Sequence, residues 1–190
     1  MRFLLSVTLC LICIFSNAQI ANTHILFMGI PLNGTVEVFS LRLEEKGFTK
    51  VGEKEGSINY YGKFANELVK LTLVASQRTN TVCKIVIDFP EKESWSQLRN
   101  DYLEKKTLYN RKYLLTDEYE FFSSPYEEGD GYEMRAVVRD KCKFITFFST
   151  EGGHIWVEIC EKCCIRVTYE DTINIHVANE ELQSNAYDDI

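Results

Sequence analysis

The densest group of reactive side chains in this 190-residue sequence is Cys160, Cys163 and Cys164, spaced C-x-x-C-C. Thiols at such spacing can form a redox pair where a helix N-terminus lowers the thiol pKa, or they can ligate a metal. Here the cluster falls in an expected strand turn, and a structural zinc site would need two such knuckles where the sequence has one. The reading favoured is structural, with Cys160 and Cys164 as the candidate disulfide if the compartment is oxidising. A thiol-dependent redox or metal protein is the alternative. Cys83, Cys142, Cys160, Cys163 and Cys164 make an odd count beyond the N-terminal segment, so at least one thiol stays free or pairs between molecules. Cys83 alternates with Ile85, Ile87 and Phe89 and is expected to be an inert buried thiol.

The three histidines, His24, His154 and His176, have no spacing that suggests a metal or a triad. His154 is expected opposite Glu170 as a surface pair, although a hydrolase using these two residues is a further alternative. The sequence has no G-x-S-x-G, no H-E-x-x-H and no phosphate-cradling glycine loop. Glu127 to Gly131 is acidic but lacks the alternating oxygens of a calcium loop. No catalytic residue, metal or cofactor is therefore expected. Asn33-Gly34-Thr35 fits an N-glycosylation acceptor, relevant only in a eukaryotic secretory pathway.

Charge narrows the partners. Lys plus Arg number 21 against 28 Asp plus Glu, a net of −7 with no basic run. Such a chain is repelled by phosphate backbones, so no nucleic acid is expected as partner. Met1 to Ala18 has one cation at Arg2, an apolar run from Phe3 to Phe15 and a small-x-small ending, the layout of a secretory signal peptide. The apolar run is short of the roughly 20 residues of a spanning helix, and no later stretch is long enough. The expectation is an exported protein, periplasmic or secreted, starting at Gln19 and without a transmembrane segment.

These residues need a scaffold. Thr23 to Met28 is a short strand candidate. Val36, Phe39 and Leu43 recur at helical spacing, with Gly47 at the left-handed position after the helix and Phe48 able to pack on Leu43. Period-two segments follow at 48–51, 58–65, 68–75 and 81–89. After Pro90, Ser94-Trp95-Ser96-Gln97 is a capping-box pattern that starts a second helix. Strands are then expected at 119–122, 132–139, 143–149, 154–160 and 164–170. The fold class is α+β, with two tandem units of a helix plus an antiparallel β-meander, at 19–90 and 91–178. An acidic tail, 179–190, is expected to fray.

Register can be argued on paper, because a slip of one residue sends every side chain to the other face. A three-residue loop, Glu161-Lys162-Cys163, pairs Ile159 with Ile165, Val157 with Val167 and Ile155 with Tyr169 on an apolar face. It also places Glu158 opposite Arg166 and Cys160 opposite Cys164, and asks Cys163 to hold a position that usually prefers Gly. The same reasoning for the preceding hairpin pairs Val138 with Phe144 and Ala136 with Thr146. Phe147 then lies beside Trp156. The face away from the helix would carry Val137, Ile145, Phe147 and Trp156, rimmed by Arg135, Glu158 and Arg166. An apolar aromatic cluster with a charged rim is what a binding face for a protein or glycan looks like. The alternative is that this face packs against the first unit.

The stretch Phe27-Met28-Gly29-Ile30-Pro31-Leu32-Asn33-Gly34-Thr35, the segment Gly62-Lys63-Phe64-Ala65 and the ending Tyr169-Glu170-Asp171-Thr172-Ile173-Asn174 resemble small uncharacterised exported proteins of Bacteroides-type gut bacteria. Gln19 after the expected cut is similar to signal peptides of that group. Asp171-Thr172-Ile173 resembles the O-glycosylation acceptor of its exported proteins, which implies Thr172 as the modified residue. The resemblance implies an address and no activity. The tandem helix-meander order is also similar to beta-lactamase-inhibitor-like and outer-membrane-assembly lipoprotein domains, which bind proteins through their sheets.

Overall fold

The computed structural model describes residues 23–54 and 56–188. The expected signal peptide lies outside the described residues. Two short strands, β1 (Leu26–Phe27) and β2 (Ile30–Pro31), form a hairpin ahead of helix α1 (Val36–Glu45). Four strands follow, β3 (Thr49–Lys54), β4 (Ser57–Phe64), β5 (Glu67–Ala75) and β6 (Val82–Asp88), and then helix α2 (Trp95–Asn110). The remainder is β7 (Leu114–Phe122), helix α3 (Glu133–Val138), β8 (Cys142–Thr150), β9 (Gly153–Cys160), β10 (Cys164–Asp171) and helix α4 (Thr172–Asp188). The fold is α+β.

Local chemistry explains the helix ends. In α1 the buried residues are Val36, Phe39 and Leu43, the stripe the spacing predicts. Gly47 has φ +89, and the Phe48 N–H reaches back to the Leu43 carbonyl at 3.1 Å, closing the helix as expected. Phe48 lies so close to Gly62 that a Cβ there would enter the phenyl ring, which is why that strand carries glycine. At α2 the Ser94 hydroxyl accepts from the Gln97 N–H at 3.4 Å, the first half of the capping box.

β3 to β6 and β7 to β10 belong to one eight-stranded antiparallel sheet of order β3-β4-β5-β6-β10-β9-β8-β7. Its centre is the β6–β10 pair, where Ile87 lies opposite Val167 and Ile85 opposite Tyr169. One row of side chains can be followed across six strands: Tyr60, Leu71, Ile87, Val167, Val157 and Thr146. All six are buried. α1 and α2 both sit on this face. Tyr60 donates its hydroxyl to Ser40 of α1 at 2.6 Å, and the Tyr102 hydroxyl of α2 is 2.6 Å from the Thr146 hydroxyl. The strands on both sides of the β6–β10 pair thus bury one shared core beneath α1 and α2.

Two expectations are corrected. Residues 132–139 are not a strand; Glu133 to Val138 form α3. Glu133, Ala136 and Val137 are buried at helical spacing while Val138 is exposed, and Glu, Met, Arg and Ala favour a helix over a strand. The strand beside β8 is β7, which begins at Leu114 and pairs Glu118 with Thr146 and Tyr119 with Ile145. The acidic tail is the second correction, because α4 continues through Asn179 to Asp188. Glu181 explains its attachment: the carboxylate takes the Arg78 and Thr79 N–H groups at 2.7 and 3.2 Å and the Thr79 hydroxyl at 2.7 Å. Among the described residues, no helix is long and apolar enough to cross a membrane.

Candidate binding face and thiol pair

The last hairpin has the register the apolar pattern demands. Ile159 faces Ile165, Val157 faces Val167 and Ile155 faces Tyr169, with Cys163 in the turn at φ +57. Phe147 lies opposite Trp156 across β8 and β9. With Ile145 these residues occupy the sheet face away from α1 and α2, and all three are partly exposed. Ring centroids of Phe147 and Trp156 are 6.4 Å apart, and Tyr119 of β7 meets Phe147 edge-on at 6.3 Å. Together they wall a hollow of about 360 Å³ whose polar lining is Thr116, Asp117, His154 and Glu170.

Val137 and Arg135 do not belong to this face. Both are on α3, where Val137 is buried in the core and Arg135 is exposed. The reason is the helix itself, since period-two placement assumed a strand there. Tyr119 takes the place that Val137 was expected to hold, and Asp117 comes with it. Neither was visible in the sequence, because the partner of β8 lies eighteen residues farther upstream than a local hairpin would put it.

The charged rim also differs from simple cross-strand matching. Glu158 and Arg166 are register partners, but the guanidinium turns the other way, its Nε 2.7 Å from Asp88 on β6. Lys162 meets the same carboxylate at 2.9 Å. Burial pushes the Asp88 carboxyl up, yet the hydrogen bonds from Arg166 and Lys162 outweigh that and hold it below its ordinary value. Glu158, left with less of that support, is raised by burial. His154 faces Glu170 in register, but Glu170 pairs with Lys84 at 2.8 Å. The Lys84 ammonium also lies 5.3 Å over the Trp156 ring.

Beside the rim, Cys160 and Cys164 face each other with sulfurs 3.2 Å apart, in hydrogen-bond contact and unbonded. The hydrogen bond from Cys164 lowers Cys160 to about 7, while Cys164, acting as its donor and buried, is driven well above the ordinary thiol range. Asp88 completes a three-ligand group with the two sulfurs, all within 4.8 Å of one another. Its two oxygens are already held by Arg166 and Lys162, which stand where a cation would compete. Cys83 is buried and raised by that burial, consistent with an inert thiol. Thr172 is exposed at the start of α4, whereas Asp171 of the same acceptor-like triplet is fully buried.

Compared with known protein families, curated proteins and solved structures, the chain matches none. The reading of its function rests on the geometry above.

Proposed function

We propose that this protein is an exported, non-enzymatic binding module whose sheet face around Phe147 and Trp156 takes a protein or glycan partner. The observation that carries the reading is the side-by-side placement of Phe147 and Trp156 on the face opposite α1 and α2, with Tyr119 extending the cluster. Aromatic faces next to Asp117, His154 and Glu170 suit a sugar ring, which offers C–H groups to the rings and hydroxyls to the carboxylates. A glycan is therefore the first ligand to test.

A glycan array probed with the protein and with Trp156→Ala tests it. Binding lost in the variant at unchanged melting temperature supports the reading, and binding retained by the variant removes it. If only polypeptides are captured, and capture again needs Trp156, the partner is a protein and the same face serves.

The expectation of export is part of this proposal and is supported by the layout of Met1 to Ala18. N-terminal sequencing that finds Gln19 first would establish it. The reading of two tandem helix-meander units is likewise proposed, and the mirrored strand order on either side of β6 and β10 supports it. A second functional reading, thiol chemistry at Cys160, Cys163 and Cys164, is favoured by the close sulfur contact. Binding that survives the replacement of all three by Ser would remove that reading.

A further inference from the structure

An apolar cleft lies on the other side of the sheet, between the β1–β2 hairpin and the C-terminal half of α2. It encloses about 560 Å³, within the roughly 300–1,000 Å³ of small-molecule sites. Phe64, Phe89, Tyr109 and Tyr169 line its interior. Their contacts with one another and with the core fix these rings: Phe64 lies 6.2 Å from Phe89, and Tyr109 shares a 2.8 Å hydroxyl contact with Tyr169. Leu26 and Leu108 stand at the opening, 54% and 49% exposed. The two leucines extend the apolar lining to the surface.

Charge at the mouth is equally selective. In a chain of net charge −7, Arg111 and Lys112 border the cleft; neither has a carboxylate partner among the described residues, and the Lys112 ammonium lies 5.0 Å over the Tyr113 ring. Lys105 in the wall behaves differently: its ammonium is tied to Glu67 at 2.6 Å and to Asp101 at 2.9 Å, so its charge is already compensated. The backbone at the rim is also unusual. Met28 and Ala65, in the two turns that flank the opening, both have positive φ without being glycine.

We infer that this cleft binds a single-chain anionic amphiphile, with its apolar tail among Phe64, Phe89 and Tyr109 and its acid group at Arg111 and Lys112. A neutral or cationic headgroup would leave both cations unanswered or repelled. The site is separate from the aromatic face around Trp156 and does not depend on that reading.

Titration calorimetry tests the inference with decanoate, decyl maltoside and decyltrimethylammonium, each below its critical micelle concentration. The expected result is one equivalent of decanoate, bound at least about tenfold more tightly than the other two. Arg111→Glu combined with Lys112→Glu should remove that preference, and because both residues are exposed the melting temperature should hold. Leu108→Asp should abolish binding of all three, whereas Trp156→Ala should bind decanoate normally. Equal affinity for the three headgroups, or a preference that survives the double charge reversal, overturns the inference. So does co-sedimentation with phosphatidylglycerol vesicles without uptake of decanoate, which would make the cations a membrane contact.

Discussion

The Asp171 carboxylate accepts the backbone N–H of Ile25 at 2.9 Å, joining the end of the last strand to the residue just before the first. The same oxygen meets His24 Nδ1 at 3.1 Å, and the other oxygen caps α4 by taking the N–H groups of Ile173 and Asn174 at 3.1 and 2.9 Å. Asn174 continues the seam, donating to the carbonyls of Leu32 and Val82. The segments Phe27 to Thr35 and Tyr169 to Asn174 therefore meet in space, and Phe27 and Tyr169 touch edge to face at 5.3 Å.

Asp171→Ala should be among the most damaging single substitutions. It leaves the buried Ile25 N–H without a partner and uncaps α4, each worth roughly 1–2 kcal/mol, so a loss of about 2–4 kcal/mol is expected. Urea unfolding followed by circular dichroism measures it. A loss below about 1 kcal/mol would mean that the seam is not structural.

Cys163→Gly should stabilise the last hairpin. Cys163 holds φ +57, a conformation that costs an ordinary residue roughly 1–2 kcal/mol and glycine little. The greater freedom of glycine in the unfolded chain returns part of that gain, leaving about 0.5–1 kcal/mol. The same unfolding measurement reads it, and Ile159→Ala in the neighbouring strand, by contrast, should cost about 2–4 kcal/mol.

In the reduced protein one thiol should ionise near pH 7. Absorbance at 240 nm reports the thiolate, and Cys164→Ala should move that step upward, because it removes the hydrogen bond that lowers Cys160. Cys160 has a folded-state value of about 7, below that of the unfolded chain, so folding favours its thiolate. Its contribution to stability is full above the unfolded value and is lost as pH falls through about 7. Cys164 is shifted upward and acts in the opposite sense, only at pH above the ordinary thiol range. A titration with no ionisation before the ordinary thiol range would refute the pairing.

What could be read in the sequence was local. The stripe of Val36, Phe39 and Leu43, the Ser94 cap and the pairing of Ile159 with Ile165 each depend on residues within a few positions, where periodicity and turn length leave few choices. α3 was missed because Met134, Ala136 and Val138 alternate as well as Ala136 and Val137 cluster, and a six-residue segment cannot distinguish the two periods. Tyr119 and Asp117 of the aromatic face are hidden for a different reason. Their neighbours on β8 are chosen by tertiary pairing across the α3 segment, and no local signal encodes that. Cys160 opposite Cys164 was legible, but Asp88 beside them was not, since it reaches them only through the β6–β10 junction.

That junction has a consequence for how the polypeptide emerges from the ribosome. β6 is complete at Asp88, yet its second neighbour, β10, is the last strand among the described residues. Until Val167 arrives opposite Ile87, the first half carries an open, hydrophobic strand edge that any other β-segment could join. Chains that lack the segment from Cys164 onward are thus the species most exposed to chaperones and to aggregation, and the arrival of β10 is the event that closes the sheet.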